Sequence, residues 1–158
     1  MAPLEEANFN TKLRVLVVDD NLDAAAMLAE LLSIYGHETR VANLGLVALA
    51  MVREFRPALV ILDIGMPGMN GYETAKRIRA NDPAGSVTLV ALTGWGAEAD
   101  QIKARDAGFD HHFTKPVELD KVESVLQLVA LRLARESLDG GADRTATAVP
   151  ADTRPPGR

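Results

Sequence analysis

Asp19, Asp20, Asp63, Thr93 and Lys115 are the side chains of this sequence with the types that phosphoryl chemistry uses. Carboxylates gathered in one place repel one another unless a cation stands among them. A hard divalent ion with oxygen ligands meets that need, and Mg²⁺ suits it best because it keeps waters and requires only one or two carboxylates. A lysine and a hydroxyl added to such a metal make a receptacle for a phosphoryl group, the cations offsetting its oxygen charge and the hydroxyl donating a hydrogen bond. The chain contains neither Gly-x-Gly-x-x-Gly nor a Walker loop to bring a nucleotide. One carboxylate is therefore a candidate acceptor, since aspartyl phosphates are established covalent intermediates, and Asp63 is the candidate. Taken singly, each residue has a plain structural role: Asp19 or Asp20 caps a helix, Asp63 opens a turn, Thr93 caps another helix and Lys115 is solvated. Their coincidence favours the chemistry.

The elements that must position these residues alternate along the chain. Apolar runs at Leu13 to Val18, Thr39 to Ala42, Leu59 to Leu62, Val87 to Leu92 and His111 to Phe113 read as strands. Those at 13, 59 and 87 lack polar alternation, as expected of parallel strands covered on both faces. Helical patterns run from Asn21 to Tyr35, Asn43 to Phe55, Tyr72 to Ala80, Glu98 to Ala107 and Glu118 to about Glu136. Gly36 and Gly108 follow helices where a left-handed stop is needed, and Pro57 follows another closely. Leu119, Val122, Leu126, Val129 and Leu133 mark the buried face of the last helix. Five βα units with right-handed crossovers predict a doubly wound α/β domain, a five-stranded parallel sheet with five helices. Such sheets bind ligands beyond the carboxyl ends of their strands. Asp19-Asp20 follow the first strand, Asp63 the third and Thr93 the fourth, and the fifth leads to Lys115-Pro116.

A chain of 158 residues with 47% hydrophobic and 25% charged residues fits one domain with a substantial core. The absence of cysteine excludes disulfides, thiolate catalysis and Cys-based zinc sites. A net charge of -5 argues against an electrostatic nucleic-acid binder. No apolar run is long enough for a bilayer span, and the start lacks the pattern of a signal peptide, so no membrane association and a cytoplasmic location are expected. Residues 1–11 are expected to be a flexible segment, 12–135 the folded domain, and 136–158, rich in Gly, Pro, Ala and Thr, a disordered tail.

Four stretches together are highly specific: Leu-Arg-Val-Leu-Val-Val-Asp-Asp-Asn, Leu-Val-Ile-Leu-Asp-Ile-Gly-Met-Pro-Gly-Met-Asn-Gly-Tyr-Glu, Val-Ala-Leu-Thr-Gly and Ala-Gly-Phe-Asp-His-His-Phe-Thr-Lys-Pro. Over about residues 12–135 the chain resembles the receiver domains of two-component response regulators, which implies the flavodoxin-like strand order 2-1-3-4-5. The resemblance implies that Asp63 accepts a phosphoryl group from a phosphohistidine and that Asp20, Asp63 and the backbone carbonyl of Gly65 ligate Mg²⁺, with Asp19 acting through a water. It implies that Lys115 pairs with phosphoryl oxygens, that Thr93 turns inward to the phosphorylated state, and that Pro116 carries a cis peptide bond. The partners implied are a histidine kinase or histidine phosphotransfer protein and a downstream protein target, reached through the surface around the fourth helix, fifth strand and fifth helix. The Thr-Gly-Trp-Gly and Ala-Gly-Phe-Asp-His-His stretches look like receivers of hybrid histidine kinases, so a stand-alone receiver and a fragment of a longer kinase are both open. No output domain is expected in the segment after the fifth helix.

Three features depart from the family pattern. His112, beside His111, occupies the position where many members carry a switching aromatic; it is read equally as a switch with added pH dependence or as a strand-end histidine. Gly65 and Trp95 lie two residues past Asp63 and Thr93, and Trp95 is read as a partial cover over the site or a contact for a partner. Leu44, Val47 and Met51 form a stripe on the second helix that would serve a homodimer or partner surface, or else widen the face toward the core; the latter is favoured. Two rival functions are a Mg²⁺-dependent aspartyl-phosphate phosphohydrolase, weakened by Gly65 where a second acid is needed, and a phosphorylation-independent scaffold of the same fold.

Overall fold

The computed structural model describes the backbone of residues 11–94 and 98–153 and the side chains of residues 11–94 and 100–138. Its elements follow in the order β1 (Arg14–Val18), α1 (Leu22–Ile34), β2 (Glu38–Ala42), α2 (Gly45–Phe55), β3 (Leu59–Asp63), α3 (Gly71–Ala80), β4 (Thr88–Thr93), α4 (Glu98–Ala107), β5 (His111–Thr114) and α5 (Leu119–Thr153). All strand pairs are parallel, and the sheet order is β2-β1-β3-β4-β5, as the resemblance implies.

Every residue of β3 and β4 is buried, which explains their lack of polar alternation. The pleat sends successive side chains to opposite faces. Val15 and Val17 of β1 join Ala25, Leu28 and Leu32 of α1 and Val122, Leu126 and Val129 of α5 in one core layer. Leu16 and Val18 join Ala48, Ala75, Ile78 and Ala104, from α2, α3 and α4, in the other. Register pairs Val18 with Leu62, Asp63 with Leu92 and Thr93 with Thr114, so the strands end on a common edge.

The helix ends show how the chain leaves that edge. Asn21, not Asp19 or Asp20, caps α1, its side-chain oxygen accepting the Ala24 N–H at 3.1 Å. Gly36 and Gly108 adopt the left-handed conformation expected of them, with φ of +99° and +108°. At the end of α2 an arginine takes that role, Arg56 at φ +53°. On α2, Val47 and Met51 pack against the second core layer, in line with the wide core-facing stripe, while Leu44 stays exposed at the helix start. Helix α5 runs to Thr153, beyond the expected end near Glu136 and into the segment read as a disordered tail. Its buried side chains stop at Ala130, with Leu133 partly buried. The sequence reading weighed burial alone; extending a helix from a packed stretch costs far less than nucleating one, which lets the backbone continue past the last core contact.

Candidate functional site

The strand ladder extends one residue past the strand ends at the carboxyl edge. Asp19 N–H donates to Ala42 O at 3.1 Å, Ile64 N–H to Leu92 O at 2.9 Å and Lys115 N–H to Thr93 O at 2.7 Å. These bonds hold Asp19, Asp63, Thr93 and Lys115 on the backbone of the sheet itself. Beyond Asp63 the chain turns through Met66, buried at 4% exposure, and Gly68 at φ +72°, and is brought back by Gly71 N–H donating to Ile64 O at 3.0 Å. Asn70 caps α3 by accepting the Glu73 N–H at 3.0 Å. The approach at Gly71 is close: a Cβ there would lie 2.6 Å from both the Asp63 carbonyl oxygen and the Ile64 Cα. Glycine is therefore what lets α3 start directly against the residue carrying the candidate acceptor.

Asp19 and Asp63 are buried at 3% and 5% exposure, whereas Asp20 is exposed. One carboxylate oxygen from each of the three lies within 4.8 Å of the others, an all-oxygen donor set of the kind a hard divalent cation takes. Their other contacts fix them in place. Asp19 Oδ1 accepts the Asn21 N–H at 2.9 Å, and Asp63 Oδ1 accepts the Gly65 N–H at 3.1 Å. The Lys115 ammonium stands between the two buried carboxylates, 3.3 Å from Asp19 Oδ2 and 3.2 Å from Asp63 Oδ2. Burial pulls the Lys115 ammonium toward deprotonation, but the charges of Asp63 and Asp19 outweigh it and hold its pKa above the ordinary lysine value. Gly65 is exposed, and a Cβ added to it would stand 3.9 Å from Asp63 Oδ1, so glycine leaves that side of the carboxylate uncovered.

The remaining predicted residues with described positions lie on or just after β4 and β5. Thr93 ends β4 and is buried at 7% exposure, and the Lys115–Pro116 peptide is cis, as the resemblance implies. His111 and His112 are adjacent on β5, pairing with Val90 and Ala91, and a strand sends such neighbours to opposite faces. His112 is half-buried, and its Nε2 is enclosed without a hydrogen-bond partner among the described residues. Trp95 lies outside the described residues. Sequence reasoning missed an apolar surface beside the cluster: a groove of about 480 Å³ runs from Lys115 and Pro116 to Met27 and Leu31 of α1. Met27 is 66% exposed and Leu22 53%. The signal was present in α1, which carries large apolar residues on its outer face as well as the core residues Ala25, Leu28, Ala29 and Leu32.

Comparisons with known proteins agree with this geometry. The family model for the response regulator receiver domain matches residues 15–127. The sporulation initiation phosphotransferase F of Bacillus subtilis (strain 168) is 34% identical over 115 residues, covering 72% of this chain and 90% of that protein. The DNA-binding response regulator MtrA of Mycobacterium tuberculosis (strain ATCC 25618 / H37Rv) is 38% identical over 122 residues, covering 77% of this chain and 51% of that protein. The chain thus spans about half the length of the MtrA proteins that it matches. Among solved structures, it is similar to a chain of the co-crystal of the Saccharomyces cerevisiae histidine phosphotransfer signaling protein Ypd1 and the receiver domain of its downstream response regulator Ssk1. That likeness has a TM-score of 0.72 and 28% identity and covers 78% of this chain and 92% of the other.

Proposed function

This chain belongs to the response regulator receiver domain family, the phosphorylation-based switches of two-component signalling, and from that premise we propose that Asp63 is its phosphoacceptor. The observation that carries the reading is the Lys115 ammonium between the carboxylates of Asp19 and Asp63, on the edge where Thr93 also ends its strand. A phosphohistidine of a histidine kinase or histidine phosphotransfer protein is the donor. An Asp63 carboxylate oxygen forms the new bond to phosphorus as the bond from phosphorus to the donor imidazole nitrogen breaks.

Asp20, Asp63 and the Gly65 carbonyl would hold Mg²⁺, with Asp19 assisting through a water, and the ion would supply positive charge to offset that of the phosphoryl oxygens. The Gly65 N–H fixes the Asp63 carboxylate for attack. Lys115 exchanges carboxylate contacts for a phosphoryl oxygen, and the Thr93 hydroxyl donates to another. These contacts exist in the phosphorylated state alone, so they shift the population toward a second conformation, in which Thr93 and His112 reposition. The readout is a change in protein contacts around α4, β5 and α5. Residues 12–135 suffice as the switching unit, and a cytoplasmic location follows from the donor.

A donor histidine must come within bonding distance of Asp63, so the donor protein has to cover the ground beside the cluster. Met27 and Leu31 supply exposed apolar surface there. Calorimetric titration with Mg²⁺ tests the metal assignment: one site is expected in the wild-type chain and a loss of affinity in Asp20→Asn. An unchanged affinity would refute it.

A further inference from the structure

At the edge of the sheet opposite the aspartates lies a groove of about 530 Å³, within the size range of small-ligand sites. It begins at Arg14, the first residue of β1, five residues before Asp19 and so about 16 Å away at a strand rise of ~3.3 Å per residue. Val52, Val87 and Leu133 give it an apolar wall, and Arg14, Arg53 and Arg56 give it charge.

The charge is unusual in its setting. The chain carries 22 acidic against 17 basic residues, yet none of these three arginines has a carboxylate at ion-pair distance among the described residues, although Glu38 is the register partner of Arg14. Asp82, the acidic residue of the lining, is already engaged: it pairs with Arg79 at 3.2 Å and accepts from the Ser86 hydroxyl at 2.6 Å and the Val87 N–H at 2.9 Å. Arg14 Nε donates to the Arg56 carbonyl at 3.0 Å, which ties the start of β1 to the end of α2. Arg56 itself holds a left-handed φ of +53°, where a glycine would cost less. The planar guanidinium fork matches phosphate and carboxylate oxygens, and an apolar wall beside it would take a hydrocarbon body.

We propose that this groove binds a small organic anion, an apolar body bearing phosphate or carboxylate groups, with Arg53 and Arg56 as its principal contacts and Arg14 beside them. The site is separate from the aspartate cluster and uses none of its residues. Phosphorylated and carboxylated metabolites share the chemistry, and a matched pair of probes separates them. 1-Naphthyl phosphate and 1-naphthoate carry the same apolar body, and inorganic phosphate carries none.

The test is methyl and amide NMR of the full chain in EDTA, with each probe titrated in turn. At least one naphthyl anion should shift the Val52, Val87 and Leu133 methyls and leave the Gly65 amide in place, and the tighter of the two identifies the anionic group. Arg53→Gln with Arg56→Gly should weaken binding about tenfold or more, as the loss of charge-assisted contacts requires. Both positions are exposed, and glycine suits the backbone at 56, so the doubly substituted chain keeps its fold. The proposal is overturned if neither naphthyl anion moves those methyls, if the substituted chain binds equally well, or if inorganic phosphate binds as tightly as the naphthyl anions.

Discussion

Replacing Gly71 with alanine probes the contact that joins the fold to the chemistry. The added Cβ would lie 2.6 Å from the Asp63 carbonyl oxygen and the Ile64 Cα and 3.1 Å from the Asp63 carbonyl carbon. Relief to ordinary contact near 3.4 Å needs a displacement of about 0.8 Å, from a backbone that cannot rotate aside as a side chain would. Overpacking of this kind costs about 1–3 kcal/mol, and a backbone neighbour places it in the upper half, slightly offset by the better helix propensity of alanine. The atoms displaced belong to the proposed acceptor and the residue after it, and misplacement by 1 Å costs catalytic steps about 100-fold. Gly71→Ala should therefore lose about 2 kcal/mol in urea denaturation and slow phosphorylation by a small-molecule donor about 10- to 100-fold, followed by intact mass. Gly85→Ala is the control: it meets nothing within 4 Å and carries only the strain of φ +71°, so it should lose some stability and none of the rate. A Gly71→Ala chain phosphorylated as fast as wild type would refute the reasoning.

Arg79 joins α3 to two loops, donating from Nε to Gly108 O at 2.9 Å and from Nη1 to Val87 O at 2.6 Å and pairing through Nη2 with Asp110 at 2.6 Å. Arg79→Ala takes a donor from the Gly108 and Val87 carbonyls and leaves Asp110 with the Leu89 N–H but no cation, and should lower stability by about 3 kcal/mol in denaturant titration. His37 accepts the Leu13 N–H on Nδ1 at 3.2 Å, and burial lowers its pKa from 6.5. With the folded value depressed, the stability it contributes is complete above pH 6.5 and is lost as pH falls through the folded value. In His37→Gln, where the amide oxygen can accept the same N–H without titrating, the denaturant midpoint should change less on acidification from about pH 7 to about pH 5. Met27→Asp, on the exposed face of α1, should slow phosphotransfer from a histidine phosphotransfer protein and leave phosphorylation by a small-molecule donor unchanged; equal loss in both would remove α1 as the docking face.

The sheet was legible because its strands are short, apolar and bounded by the residues that end them. Leu59 to Leu62 reads as a strand buried on both faces, and its helical connections make it parallel to its neighbours. The cluster was legible for a related reason: in a parallel sheet the residue after each strand falls on one edge, so Asp19, Asp63, Thr93 and Lys115 converge without any knowledge of contacts. Their individual geometry was not. That Asn21 caps α1 while Asp19 accepts its N–H depends on local side-chain directions that residue types alone leave open, and that Lys115 is shared by two carboxylates depends on packing between residues far apart in the chain. The arginine groove was hidden because Arg14 lies far along the chain from the neighbouring Arg53 and Arg56 and meets them only through the fold. Helix α5 outran its apolar stripe because a pattern of buried residues reports where a helix packs and says little about where its backbone stops.

The central claim is that Asp63 alone among the clustered aspartates accepts the phosphoryl group. Intact mass followed by peptide mapping, after incubation of the full chain with Mg²⁺ and a small phosphodonor, tests it most directly. The account predicts the addition of one phosphoryl group, mapped to Asp63, abolished by EDTA and absent in Asp63→Asn. An unmodified mass under these conditions, or a phosphoryl group mapped to Asp19 or Asp20 in the wild-type chain, would contradict it.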